Sequence, residues 1–125
     1  MPRPDNEWLD DILDAAIEIQ SYVTGVTYEA FASDSMRRNA TLQQLTVIGE
    51  AAARMTSGIR ERHPNVEWMS MIGFRNVAVH GYFRMTWKIV WETATTDIPD
   101  LAEQIADILT AEFPPAGPAG PEPVG

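Results

Sequence analysis

The chain has 125 residues, a formal net charge of −9, an apolar fraction of 45% and no cysteine. That length supports one hydrophobic core and not two, and the composition rules out disulfides and thiolate metal sites. No run approaches the ~20 apolar residues of a membrane helix, and the N-terminus Met1-Pro2-Arg3-Pro4-Asp5 lacks the layout of a secretory signal, so a soluble, cytoplasmic, metal-free domain is expected.

In chain order, residues 1–5 read as a flexible N-terminus and residues 6–112 as a helical domain. Asn6 or Asp5 is placed to cap a first helix, with Leu9, Ile12, Leu13, Ala16, Ile19 and Val23 at helical spacing and Gly25 just past its end. Thr27 is placed to cap a short turn through Phe31. Ser33 or Asp34 then opens a second long helix whose stripe is Met36, Ala40, Leu45, Ile48, Ala52 and Met55, with Gly58 near its end and Pro64 beyond it. Asn65 or Val66 opens a third helix through Trp68, Ile72 and Val79, and Thr86 caps a fourth through Trp87, Ile89, Val90 and Trp91. The segment Asp97-Ile98-Pro99-Asp100 reads as an interruption and restart, after which Leu101, Ile105, Ile108 and Leu109 complete a final helix. No run alternates like a strand, so the sequence predicts an all-α bundle of four or five helices. Residues 113–125, with five prolines and three glycines from Pro114 onward, read as a disordered tail.

Charge is unevenly distributed. Residues 1–34 and 92–125 each carry a net −7, whereas residues 35–91 carry +5, from Arg37, Arg38, Arg54, Arg60, Arg62, Arg75, Arg84 and Lys88 against three acids. Because exposed charges more than about 8–10 Å apart are largely screened at physiological salt, a basic block attracts phosphates even on an acidic protein. The plainer reading is a set of solvated helix faces. The acidic flanks would suit a basic partner.

Within the basic block lies Arg75-Asn76-Val77-Ala78-Val79-His80-Gly81-Tyr82. On a helix Asn76 and His80 lie about 40° apart around the axis and Arg75 and Tyr82 about 20° apart, giving two polar columns. Gly81 is placed to end the helix. An arginine fork neutralises phosphate, and imidazole transfers protons near neutral pH, so the pair suits phosphate-ester chemistry. Taken singly, His80 reads as a structural histidine, as does His63, and Arg75 as the partner of a buried acid such as Glu50. Trp8, Trp68, Trp87 and Trp91 read as core or interface residues before base-stacking ones, with Trp87 and Trp91 forming one ridge. No His and carboxylate cluster has metal-ligand spacing, and no phosphate loop is present.

In combination, these segments resemble the HEPN superfamily in the version carried by HepT-like toxins. Arg75 to Tyr82 matches its R-x4-H-x-Y motif, Ile48-Gly49-Glu50-Ala51-Ala52 its I-G-E-A segment, and His63-Pro64-Asn65-Val66-Glu67-Trp68 its lead into the motif helix. Phe83 and Ile98-Pro99-Asp100-Leu101 also fit, so the resemblance covers about residues 7–110. It implies a bundle that dimerises with two motifs facing each other across a cleft, acting as a metal-independent endoribonuclease toxin on RNA without a cofactor. His80 would then move a proton, Arg75 would stabilise charge on the phosphorus oxygens, and Asn76 would orient His80 or the phosphate. It further implies an MntA-like minimal nucleotidyltransferase antitoxin that adenylylates Tyr82. The competing expectations are a non-catalytic HEPN module that binds a nucleotide or partner, and a purely structural dimerising bundle.

Overall fold

The computed structural model describes residues 2–80 and 86–115, with residues 77–80 described by backbone alone. The helices are α1 (Asp5–Val23), α2 (Tyr28–Ala32), α3 (Ser35–Arg54), α4 (Ser57–Arg62), α5 (Trp68–His80), α6 (Trp87–Glu92) and α7 (Ile98–Glu112), with a π-helical turn, Thr93–Asp97, joining the last two. Among the described residues the architecture is all-helical, as the sequence predicts, but with seven α-helices where four or five are expected: four long ones carry the core and three short ones connect them. The expected tail falls mostly outside the described residues, as do Gly81, Tyr82 and Phe83.

α1 packs on α3 and α7, and α3 in turn carries α5. The buried face of α1 is Leu9, Ile12, Ala15, Ala16, Ile19 and Val23. It meets Leu45, Ile48 and Ala52 from α3 and Leu101, Ile105 and Ile108 from α7 in one cluster. Each of the larger side chains gains roughly 1.5–3 kcal/mol from leaving water. Phe31 is fully buried beneath Trp91, ring centroids 5.1 Å apart, and Tyr28 meets the same indole edge-on at 6.0 Å. Trp68 is also buried, its indole N–H donating to the His63 carbonyl at 2.9 Å.

Several boundaries follow from the expected chemistry. Thr27, Asp34 and Thr86 accept the backbone N–H of Ala30, Arg37 and Ile89, each satisfying an orphan donor of a first turn. Gly25 sits at φ +76°, the left-handed region that favours glycine.

Others differ. Neither Asp5 nor Asn6 caps α1, whose N-cap is Pro4 without a side-chain bond. Asp5 instead accepts the N–H of Thr56 at 3.1 Å and the Thr56 hydroxyl, so it satisfies the start of α4 from across the fold. α3 stops at Arg54, because Met55 turns extended (ψ 145°) to bury its side chain, and Gly58 lies inside α4. Met36, assigned to the stripe, is 82% exposed. α5 opens at Trp68, later than Asn65 or Val66.

No break occurs at Asp97–Asp100. The wide π turn continues straight into α7, with Asp97 and Ile98 both in helical conformation. An α-helix would rotate residues four apart by about 40° per step. Widening the turn counters that drift and keeps Val90, Ala94 and Ile98 all on the buried side. Pro99 directly follows the wide turn, as the second residue of α7.

Candidate active site

The site is built where α3 crosses α5. A methyl group added at Gly49 would lie 2.2 Å from the Arg75 Cβ and 2.7 Å from the Met71 carbonyl oxygen. No side chain larger than hydrogen fits, so Gly49 sets the distance between the helices. The next residue, Glu50, is then within reach of the facing turn of α5.

Its carboxylate holds two arginines. Glu50 Oε1 pairs with Arg75, Nη2 lying 2.8 Å away, and Oε2 accepts a hydrogen bond from Arg54 Nε at 2.8 Å. Arg75 Nη1 donates to Asn76 Oδ1 at 2.9 Å, which joins the two polar columns of the motif at one guanidinium. The hydrogen bond from Arg54, reinforced by the charge of Arg75, holds the Glu50 carboxyl below its ordinary range despite the opposing cost of burial. Pairs this exposed contribute only about 0–1 kcal/mol each, so they fix orientation more than stability. The local balance is two cations against one anion.

The expectation for Arg75 taken singly, an ion pair with Glu50, is met, although Glu50 is half-buried and not interior. α5 is helical through His80, so the backbone puts that position about 40° around the axis from Asn76. Tyr82 lies outside the described residues. Arg54 and Gly49 were not distinguished by the motif. A glycine followed by an acid and, four residues on, an arginine was the available signal.

The other histidine is committed elsewhere. His63 Nε2 contacts Glu112 Oε2, while Arg62 Nη2 lies 2.6 Å from Glu112 Oε1. Much of the basic block is likewise engaged. Arg37 bonds Asp34 and the Tyr22 carbonyl, and Arg38 bonds the Ala32 carbonyl beneath Trp87. Lys88 sits over Tyr28. A cavity of about 590 Å³ between α3, α5 and α7 has Glu67, Asp97 and Asp100 in its lining and no cationic side chain, so it does not suit a phosphate. Among the described residues no group of three His, Asp or Glu side chains is arranged to hold a metal ion.

An all-helical domain with the R-x4-H helix laid across a glycine-centred crossing has the HEPN-type fold. The family described as "Ribonuclease HepT-like" matches residues 12–108, and the chain belongs to it. It is 34% identical to "Putative RNase TTE0752" of Caldanaerobacter subterraneus subsp. tengcongensis over 89% of this chain and 96% of that protein. It is 32% identical to "Putative RNase MJ1380" of Methanocaldococcus jannaschii, over 78% and 90% respectively. To "Probable ribonuclease HepT" of Thermococcus cleftensis it is 30% identical, over 81% and 92%. No solved structure matches the chain. Among the described residues no helix is long and apolar enough to cross a membrane.

Proposed function

We propose that this ribonuclease-family protein is a metal-independent endoribonuclease toxin whose reaction is carried by Arg75 and His80. The observation that supports this most directly is the Glu50–Arg75–Asn76 arrangement: the motif arginine is held in a fixed pose one helical turn ahead of His80. RNA supplies its own nucleophile. His80 accepts the proton of a ribose 2′-hydroxyl, or protonates the departing 5′-oxygen. The 2′-oxygen bonds to phosphorus as the P–O5′ bond breaks, leaving a 2′,3′-cyclic phosphate. Arg75 offsets the charge that builds on the non-bridging oxygens, and Asn76 holds its guanidinium.

Two copies are expected to pair through α5, bringing two motifs to one cleft in the cytoplasm. The sequence of α5 is apolar nearly all round, yet it packs mainly on α3. Its outward positions Met69, Gly73 and Asn76 share one face: Met69 is 70% exposed, and a methyl group at Gly73 would meet open space. In this reading an MntA-like nucleotidyltransferase neutralises the toxin through Tyr82. The phenol oxygen attacks the α-phosphorus of ATP and pyrophosphate leaves, placing a bulky phosphodiester beside the substrate site.

One experiment tests both parts: purified protein incubated with RNA and a chelator, beside His80→Ala, Arg75→Ala and Tyr82→Phe. Cleavage is expected from the wild type and Tyr82→Phe, with at least a hundredfold loss in the other two, about the effect of removing one acid–base group. Tyr82→Phe should also resist the nucleotidyltransferase with ATP. Equal cleavage by all four proteins would identify a contaminant and end the assignment. RNA binding without cleavage would establish the binding-module alternative.

A further inference from the structure

We propose that Arg54 is a second phosphate contact of the site, holding the RNA backbone next to the phosphate engaged by Arg75; this rests on the ribonuclease reading above. Arg54 gives only its Nε to Glu50. Its two terminal nitrogens make no hydrogen bond among the described residues, and its side chain is 59% exposed. Arg75 pairs with the other oxygen of the same carboxylate, so two guanidiniums are tethered to one Glu50 and the group of three carries a net positive charge.

Arg54 is braced as well as exposed. Its guanidinium carbon lies 5.8 Å from the centroid of Trp8, whose ring is also covered by Arg3 at 4.1 Å. Arg3 differs from Arg54, because Glu7 and Asp11 occupy it at 3.1 and 2.7 Å. The cationic track therefore runs from Arg75 to Arg54 and ends against the acidic side of α1. A flexible single strand fits such a track, since a phosphate needs donors and charge but no base reading.

The test measures binding apart from cleavage. In a His80→Ala background, a fluorescein-labelled single-stranded RNA is titrated by anisotropy between 50 and 200 mM salt. Arg54→Ala should weaken binding about fivefold at 100 mM and lower the slope of log K against log salt by about 0.7, one phosphate contact on a single strand. Arg54→Lys should keep the slope. Arg37→Ala removes a cation about 25 Å away along α3 and should not change it. Thermal melts of all variants confirm folding, and Arg54→Gln replaces the alanine variant if that one melts early. An unchanged slope in Arg54→Ala, or an equal fall in Arg37→Ala, overturns the role of Arg54 alone. Failure of the His80→Ala parent to bind RNA overturns the ribonuclease reading with it.

Discussion

Two carboxylates in this fold do the same electrostatic work with different consequences. Glu50 holds Arg54 and Arg75; Glu112 holds Arg62 and His63. At Glu112 the cations are adjacent residues where α4 ends, roughly fifty positions earlier in the chain, and the contact fastens the last turn of α7 to that end. At Glu50 one cation comes from the same helix and the other from the motif helix, beside a crossing too tight for any side chain at Gly49. A paired cation is therefore no sign of function by itself. What separates the clusters is how the donors are spent: Arg75 continues to Asn76 and Arg54 gives Glu50 only its Nε, whereas Arg62 gives Glu112 both Nε and Nη2 and His63 closes the fold.

The comparison breaks most readily at Gly49. Gly49→Ala forces α3 and α5 apart, and overpacking of this kind costs about 1–3 kcal/mol. Thermal unfolding should register that loss, and RNA cleavage should fall because Arg75 moves with α5. A variant with wild-type melting temperature and activity would show that the crossing is not set by the glycine. Glu50→Gln and Glu112→Gln sharpen the contrast with smaller effects. Glu50→Gln should lower cleavage about tenfold, equivalent to about 1.4 kcal/mol of transition-state stabilisation, with little change in melting. Glu112→Gln should do the reverse, leaving cleavage intact and lowering the melting temperature. If the two variants behave alike, the division between an orienting and a fastening carboxylate is wrong.

How far these roles could be read from sequence depended on the range of the interaction. Caps such as Thr27, Asp34 and Thr86 act within three residues, and helical periodicity marked Leu9, Ile12 and Ile19 as core; both are local and were legible. The Glu50–Arg75 pair was legible as one expectation among several, because the acid and the motif occupy two helices that had to pack. Asp5 was misread for the same reason that made it attractive. A carboxylate at a helix start is a natural cap for its own helix, and only the folded chain brings Thr56 to it from 51 positions away. The π turn was hidden because Pro99 looks like a break unless the burial of Ala94 and Ile98 is already known. Gly49 was visible as part of a pattern, yet its steric role exists only once Met71 and Arg75 stand over it.

Acid is the mildest probe of the comparison. Hydrogen bonds from Arg62 and then His63 hold the Glu112 carboxyl at about 2, well below its ordinary value of 4.5. The folded pKa is depressed, so the contribution of this group is fully present above about pH 4.5 and is lost as pH falls through that value toward 2. Glu50 shifts in the same direction, so both carboxylates lose their stabilising contribution on acidification and promote acid unfolding. The fastening carboxylate should weigh more, because it ties together two chain segments that nothing local connects. Urea unfolding of wild type and Glu112→Gln at steps between pH 6 and 2 separates the cases. The wild type should be the more stable at pH 6, and the gap should close as pH approaches 2. A gap constant across that range would mean that Glu112 stabilises the fold by packing, and that its two cations add nothing the glutamine cannot supply.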